Sequence, residues 1–181
     1  MMNKLFLKII IAGSTFLVHG CLLFHSVSYE IEPKGNKGGA ATVTVEDIRT
    51  DAFNSSELKE DKKNLFEFMY KSDDFIKQMK DEGKQITSRK LMVENGRLNG
   101  KLTFHFNDIE MVEGIVYEDP FYYITLSPED SVLSTNGEII VSKDHKRIMW
   151  DKSIKILKFK MFSDEVEERK LVGMAQYYES E

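Results

Sequence analysis

From residue 84 onward, apolar and polar side chains alternate in short runs that are separated by turn residues. In KLTFHFN (101–107), for example, leucine and phenylalanine fall at every second position, so they share one face of a strand. Turn residues recur in NGRLNG (95–100), EDP (118–120) and TNG (135–137), and Asn-Gly pairs tolerate the positive φ angles of tight hairpins. About eight short strands at intervals of about ten residues predict an antiparallel β-sandwich, or an open barrel or jellyroll.

Residues 54–82 follow a helical period instead. Asn54 and Glu57 have the spacing of a capping box, and Gly83 is typical of the end of a helix. Between them, Ser72 is followed by two acids and restarts the pattern of a helix amino terminus. Apolar residues recur at helical spacings on both sides of Ser72, namely Leu58, Leu65, Phe66, Met69, Phe75, Ile76 and Met79. The sequence therefore predicts a mainly β fold of the α+β class, with one or two short amphipathic helices at 54–82 packed against the sheets.

The one long apolar run lies near the amino terminus, in LFLKIIIAGSTFLVHGCLLFHSV (5–27). Lys4 and Lys8 lie before or within this run, and the first acidic residues, Glu30 and Glu32, come after it. Positive charge at the start of an apolar segment orients that start towards the cytoplasm. The rest of the chain is therefore expected to be exported.

The only cysteine, Cys21, lies within this run, with Val18 three residues and Gly20 one residue before it. A branched residue and a small residue at these places resemble the lipobox of bacterial lipoproteins, in which a signal peptide is removed before the cysteine and the cysteine is acylated. The resemblance covers residues 1–21 only. It implies cleavage before Cys21 and an acyl chain such as palmitate on its sulfur, with the membrane as a partner.

Two other interpretations of the same run stay open. Residues 9–27 have about the length of an uncleaved membrane anchor, in which Cys21 is a small apolar residue. Alternatively, SVS (26–28) offers small residues for ordinary signal cleavage and release. All three interpretations place the folded part outside the cytoplasm, and we expect a bacterial envelope protein that is membrane-anchored and faces the periplasm or the exterior.

The segment EIEPKGNKGGA (30–40) contains one proline and three glycines and has no apolar period. It predicts a flexible tether at 22–41, between a signal peptide or anchor at 1–21 and a single β-rich domain at 42–181. TVTVEDI (42–48) alternates as a strand does and begins that domain.

The composition is that of an ordinary globular chain, with 41% hydrophobic and 30% charged residues. Without residues 1–21, the loss of Lys4 and Lys8 leaves 23 of the 25 basic residues against all 30 acidic ones. The resulting net charge of −7 argues against nucleic-acid binding, which needs a concentrated basic surface. One cysteine also excludes an intramolecular disulfide framework.

Motifs that indicate chemistry are absent from the sequence. It contains no glycine-rich phosphate loop, no G-x-S-x-G and no H-E-x-x-H. His105 and Asp108 are separated by three residues, so in a strand their side chains point to opposite faces and do not share a metal ion. We therefore expect a protein that is not an enzyme and that uses no cofactor and no metal.

The densest aromatic cluster among the predicted strands is DPFYYIT (119–125). In a regular strand, Phe121 and Tyr123 share one face, and Tyr122 lies on the other. Phe121, Tyr122 and Tyr123 are candidate partner-binding residues, and the side of the strand that faces outward is expected to make the contact. Because Phe121 and Tyr123 are the more apolar pair, we expect them to face the core and Tyr122 to be the principal contact. Simple core packing of the whole segment stays open. Trp150, the only tryptophan, is expected to cap the core at a strand end.

The expected function is that of a membrane-tethered envelope protein that binds an unidentified protein partner or assembly. An anchor followed by a small strand-rich domain is similar to many small bacterial lipoproteins. The alternative is a periplasmic lipid or lipopolysaccharide carrier, since the same order of elements resembles the β-jellyroll proteins of lipopolysaccharide export. An apolar trough favours the carrier, and a filled core favours the accessory protein.

Overall fold

Antiparallel strands make up 50% of the chain in the computed structural model, which describes residues 22–35, 37–162 and 171–178. The first four strands precede the helices, and the others follow them. The strands are β1 (Leu22–Leu23), β2 (Ser26–Lys34), β3 (Gly38–Glu46), β4 (Arg49–Thr50), β5 (Lys84–Glu94), β6 (Arg97–Phe106), β7 (Val116–Glu118), β8 (Phe121–Leu126), β9 (Val132–Thr135), β10 (Glu138–Val141), β11 (Lys146–Asp151), β12 (Leu157–Phe162) and β13 (Val172–Gly173).

The helices lie between β4 and β5, where the sequence predicts them. The helix α1 (Ser55–Lys62) continues directly as a π-helix (Lys63–Lys71), and α2 (Asp73–Asp81) follows after Ser72. Short 3₁₀ turns occupy Ile109–Met111 and Met174–Tyr177. The predicted helical region is confirmed, whereas its π-helical middle is not evident from the apolar period.

The predicted helix ends are confirmed by their hydrogen bonds. The Asn54 side chain accepts the backbone N–H of Glu57 at 3.0 Å, and the Glu57 carboxylate accepts the N–H of Phe53 at 2.8 Å. The Ser72 hydroxyl caps α2, and Gly83 has a φ of 79°, a conformation in which glycine is favoured. Local sequence therefore sets where each helix begins and ends.

The strands of the described residues form three antiparallel sheets, none of which closes into a barrel. The largest sheet has six strands in the order β5-β6-β3-β2-β12-β9, and the second has four in the order β10-β11-β8-β7. A small sheet joins β1, β4 and β13. The mainly β fold predicted from the alternating runs is confirmed.

The main core lies between the six-stranded and the four-stranded sheets. Tyr29 and Phe159 are register partners whose rings stack at 4.6 Å, and Trp150 of the opposite sheet packs on Phe159 at 5.9 Å. Trp150 is fully buried, and its indole N–H donates to the Asn136 side chain at 2.9 Å. The prediction that Trp150 caps the core at a strand end is confirmed, and its indole N–H has a hydrogen-bond acceptor.

The helices cover the remaining part of the same face of the six-stranded sheet. Leu65 packs in a second core cluster with Ile48, Leu98 and Met174. Next to it, the Arg89 guanidinium of β5 donates to the backbone carbonyls of Met69, at 3.1 Å, and Ser72, at 2.7 Å. Arg89 thereby satisfies carbonyls left free at the end of the π-helix and ties the helical junction to the sheet.

The predicted flexible tether at 22–41 is wrong. These residues form β1, β2 and the first part of β3, and β2 lies between β3 and β12 in the largest sheet. Val27, Tyr29 and Ile31 are all buried there, because they alternate with polar residues and so share the inner face. The alternation of apolar and polar residues therefore predicts this strand better than the glycines and Pro33 predict a linker. The glycines and Pro33 lie at the end of the hairpin that joins β2 to β3.

Two predicted turns need correction. Only the first Asn-Gly pair, Asn95 and Gly96, closes the β5–β6 hairpin, with φ angles of 52° and 74°, whereas the second pair lies inside β6. TNG (135–137) does not close a hairpin, because β9 pairs with β12 and β10 pairs with β11. It carries the chain from one sheet to the other. The turn at EDP is confirmed, since β7 and β8 pair antiparallel.

The structure also bears on the interpretations of the amino-terminal run. An uncleaved anchor that extends to Val27 is wrong for residues 22–27, which include β1 and the start of β2. Ser26 and Val27 are buried opposite Glu46 and Val45, so cleavage at SVS would remove part of a core strand. Cys21 lies outside the described residues. Among the helices that are described, none has both the length and the apolar character needed to cross a membrane.

Candidate functional site

A cavity of about 170 Å³ lies between the helices and the six-stranded sheet. Its floor is apolar and belongs to strands β2, β3 and β6, namely Val27, Tyr29, Val43, Val45, Leu102 and Phe104. Its roof is formed by the π-helix and α2, with Leu65, Met69, Tyr70, Phe75 and Met79. The end of the first 3₁₀ turn and the two residues after it contribute Met111, Val112 and Glu113 to one side.

The floor of the cavity differs from the rest of the same sheet face. Ile31 and Leu157, which face the four-stranded sheet, are 0% exposed. Val43 and Leu102 are register partners at the middle of the sheet, yet both are only partly buried. The four-stranded sheet therefore fills its part of this face, while the helices span theirs without filling it.

The roof is built from side chains that adapt easily. Met69 and Met79 come from the two helices, and Met111 lies at the opposite side, where it is 46% exposed and marks the mouth. Methionine has three rotatable bonds and a polarizable sulfur, so it accommodates apolar groups of different shape. The π-helical turn that supplies Leu65, Met69 and Tyr70 is also a feature found often at functional sites.

One polar pair lies at the mouth. The hydroxyl of Tyr29, which is buried, donates to the Glu113 carboxylate at 2.9 Å. Glu113 lies at an exposed turn with a φ of 55°, but its side chain turns inward. Burial raises the pKa of the Glu113 carboxyl, and burial together with the nearby Glu113 charge raises the pKa of the Tyr29 hydroxyl. The carboxyl is thus a hydrogen-bonding group held against an apolar space.

The arrangement is suited to binding an apolar group. A cavity of about 150 Å³ lined by apolar side chains holds a ligand the size of benzene. This cavity has a similar volume and a similar lining. In the parts of the chain that are described, no group of three or more His, Cys, Asp or Glu residues is placed to hold a metal ion.

The prediction that Tyr122 faces outward is wrong. Tyr122 is 6% exposed, packs on Tyr117 at 4.7 Å and donates its hydroxyl to the Gly35 carbonyl at 3.4 Å. Ile124 and Leu126 lie on the same face of β8, and this aliphatic period was the signal that identifies the core face. Phe121, at 38% exposed, and Tyr123 lie on the other face. Their role in binding a partner stays a prediction.

The cavity was not found by sequence reasoning. Its roof residues were predicted to be core-facing helix positions, which describes their direction but not the space beneath them. Tyr29 falls in the segment predicted to be a tether, and no motif in the sequence marks Glu113. The two residues are 84 positions apart, so no local pattern brings them together.

The chain was also compared with known proteins. Comparisons with protein-family models, with curated proteins and with solved structures found no match for it.

Proposed function

We propose that this protein binds a small amphiphilic molecule whose apolar part enters the cavity between the helices and the six-stranded sheet. The protein would then be a non-enzymatic carrier or receptor of the cell envelope. An apolar cavity favours the lipid-carrier alternative over the function of binding a protein partner. The observation that carries the proposal is the partly buried apolar floor at Val43 and Leu102, beside a fully packed inter-sheet core. The space lies beneath the helices rather than between the sheets, which departs from a jellyroll trough.

The size of the cavity sets the expected affinity. It takes an apolar group of about six carbon atoms, and burial of such a group contributes about 5 kcal/mol at about 0.8 kcal/mol per CH₂. Lost translational and rotational freedom offsets part of this contribution. Apolar contact alone therefore gives a dissociation constant of about 1 mM or weaker, and tighter binding requires a polar contact at the mouth.

Photolabelling of the full chain in lipid nanodiscs tests the proposal. A long-chain alcohol that carries a diazirine on its alkyl chain is expected to label peptides that contain Met69, Met79 and Met111. Val43→Phe adds a ring to the cavity floor, so it should abolish this labelling while the melting temperature stays within a few degrees. Thr44→Phe is the matched control, because the same ring then lies on the outer face of the same strand.

The result that would contradict the proposal is equally specific. Labelling of the cavity peptides that persists in Val43→Phe, or that is lost to the same extent in Thr44→Phe, means that the alcohol does not occupy this space. Labelling confined to the amino-terminal peptide that begins at Cys21 means that it samples only the bilayer.

Membrane anchoring through Cys21 is part of the proposed function. It is supported by the resemblance of Val18, Gly20 and Cys21 to a lipobox and by the position of β1, which begins at Leu22. Acyl chains on Cys21 would hold the small β1-β4-β13 sheet directly at the membrane surface, because no linker separates the two. The cavity would then lie within a short distance of its source of amphiphiles.

Cys21→Ser is expected to leave the precursor uncleaved and without acyl chains. Two acyl chains anchor a protein firmly, whereas one binds only reversibly, so the native protein should partition into the detergent phase. Intact-mass measurement of the purified chain decides the question, with Ser14→Ala in the same apolar run as the control that is still processed. A mature chain with an unmodified thiol, or one that retains Met1, would rule out the lipid anchor.

A further inference from the structure

One oxygen of the Glu113 carboxylate accepts a hydrogen bond from the protein, and the other is free to accept one from a ligand. Tyr29 donates its hydroxyl to Oε1 at 2.9 Å, and within the described part of the chain this is the one hydrogen-bond donor to the side chain. The carboxylate lies at the mouth of the cavity, whose lining is otherwise mostly apolar. A ligand that places a donor at this point completes the coordination of the second oxygen.

The basic residues that border the cavity do not offer an equivalent site for an anion. Arg89 is engaged by the carbonyls of Met69 and Ser72. Lys90 and Lys101 are register partners that alternate with inward-facing residues, so their ammonium groups lie on the outer face of the sheet. Three of the four cations beside the cavity are therefore directed elsewhere.

The fourth cation, Lys84, already faces two acids. Its ammonium group lies 3.9 Å from Glu82 Oε2, and its charge acts on Glu113, whose pKa it lowers against the larger effect of burial. The Glu82 oxygen has no hydrogen-bond donor among the described residues. An anionic ligand at the mouth would therefore meet the Glu113 carboxylate, and the one cation beside it already interacts with Glu82 and Glu113.

We propose that the polar end of the ligand is a hydrogen-bond donor, a hydroxyl or an amide N–H, received by the free oxygen of Glu113. Ligands that end in a carboxylate or a phosphate bind more weakly to the site. This inference rests on the proposed function and specifies its ligand class as neutral amphiphiles, with the apolar part beneath the helices and the donor at the Glu113 side of the mouth.

Competition against the diazirine alcohol tests this selectivity with probes of equal chain length. Octanol and octanoate are compared at equal free aqueous concentration with the full chain in nanodiscs. A mildly alkaline pH is used, because burial raises the pKa of the Glu113 carboxyl. Octanol is expected to displace the label at a concentration about tenfold or more below that required for octanoate, which corresponds to about 1.4 kcal/mol.

Glu113→Gln then assigns the selectivity to its residue. Glutamine keeps an acceptor oxygen for the Tyr29 hydroxyl but replaces the free oxygen with an NH₂ donor. Octanoate should therefore compete better than in the native chain, and the preference for octanol should disappear. Glu110→Gln is the matched control, since this exposed acid lies three residues earlier and does not line the cavity. It should retain the full preference for octanol.

The outcomes separate this inference from the proposed function. Octanoate that competes as well as octanol in the native chain, or a preference that is unchanged in Glu113→Gln, overturns the ligand class while cavity binding stands. Equal loss of preference in Glu110→Gln overturns the assignment to Glu113. Absence of specific cavity labelling in the native chain overturns both.

Discussion

Replacement of Trp150 by alanine is expected to lower the free energy of unfolding by about 3–5 kcal/mol. The side chain is fully buried between the two large sheets and packs on Phe159. Its indole N–H also donates to the side chain of Asn136, which lies between β9 and β10. The same side chain accepts the backbone N–H of Lys158 and so links this connection to β12. Since whole domains are stable by about 5–15 kcal/mol, this single loss is a large share of the total.

Denaturant unfolding of the full chain measures the Trp150 effect. Trp150→Phe keeps an aromatic ring in the core but loses the hydrogen bond, so its cost should be smaller than that of alanine. Phe121→Ala, on the outward face of the neighbouring strand β8, is the surface control and should cost little. An unchanged midpoint for Trp150→Ala would mean that the inter-sheet core described above is not the stabilising core of the protein.

Leu65→Ala is expected to lower the free energy of unfolding by about 2–5 kcal/mol. Leu65 is the buried residue of the π-helix, and it packs with Ile48, Leu98 and Met174 at the edge of the cavity. Its loss would also loosen the cavity roof, because the helices are held to the sheet by this cluster and by Arg89. Ligand binding should therefore weaken together with stability.

Glu67→Ala is the matched control for Leu65, because Glu67 lies two residues later on the exposed side of the same helix. Thermal unfolding of both variants separates the two positions. If Leu65→Ala has the melting temperature of the wild-type chain, the helices do not belong to the cooperative core, and the space beneath them is not a defined cavity.

The alternating runs and helical periods predict the fold class because they record local physics. Strand alternation at 101–107 follows from the two faces of a sheet, and the helix that begins after Asn54 follows from its cap. These features need no knowledge of distant residues. The predicted order of a helical region followed by strands is accordingly correct.

Errors arise where two local signals compete. Glycine and proline at 30–40 suggest a linker, whereas the alternation of Val27, Tyr29 and Ile31 indicates a strand, and burial on a sheet decides in favour of the strand. At Tyr122 the apolar character of the two neighbouring residues, Phe121 and Tyr123, predicts the wrong core face. The longer aliphatic period with Ile124 and Leu126 is the stronger signal, because it extends along the whole strand.

The candidate site could not be predicted from the sequence for a different reason. The cavity is the space left where the surfaces of two elements that are far apart in the chain do not fit closely together. Helical periodicity identifies Met69 and Met79 as inward-facing, but the distance between the helices and β3 depends on long-range packing. The Tyr29–Glu113 hydrogen bond likewise depends on how residues after β6 return to β2.

Methyl resonances of the full chain in nanodiscs, recorded during titration with octanol, test the central claim most directly. The chain provides its own control, because Ile31 and Leu157 lie on the same face of the six-stranded sheet as the cavity floor but are packed in the inter-sheet core, together with Ile148 of the opposite sheet. Binding in the cavity predicts saturable shifts for the methyl groups of Val43, Val45, Leu102 and Met79, with the methyl groups of Ile31, Ile148 and Leu157 unchanged. Shifts that are absent from the first group, or equal in both groups, would contradict the account.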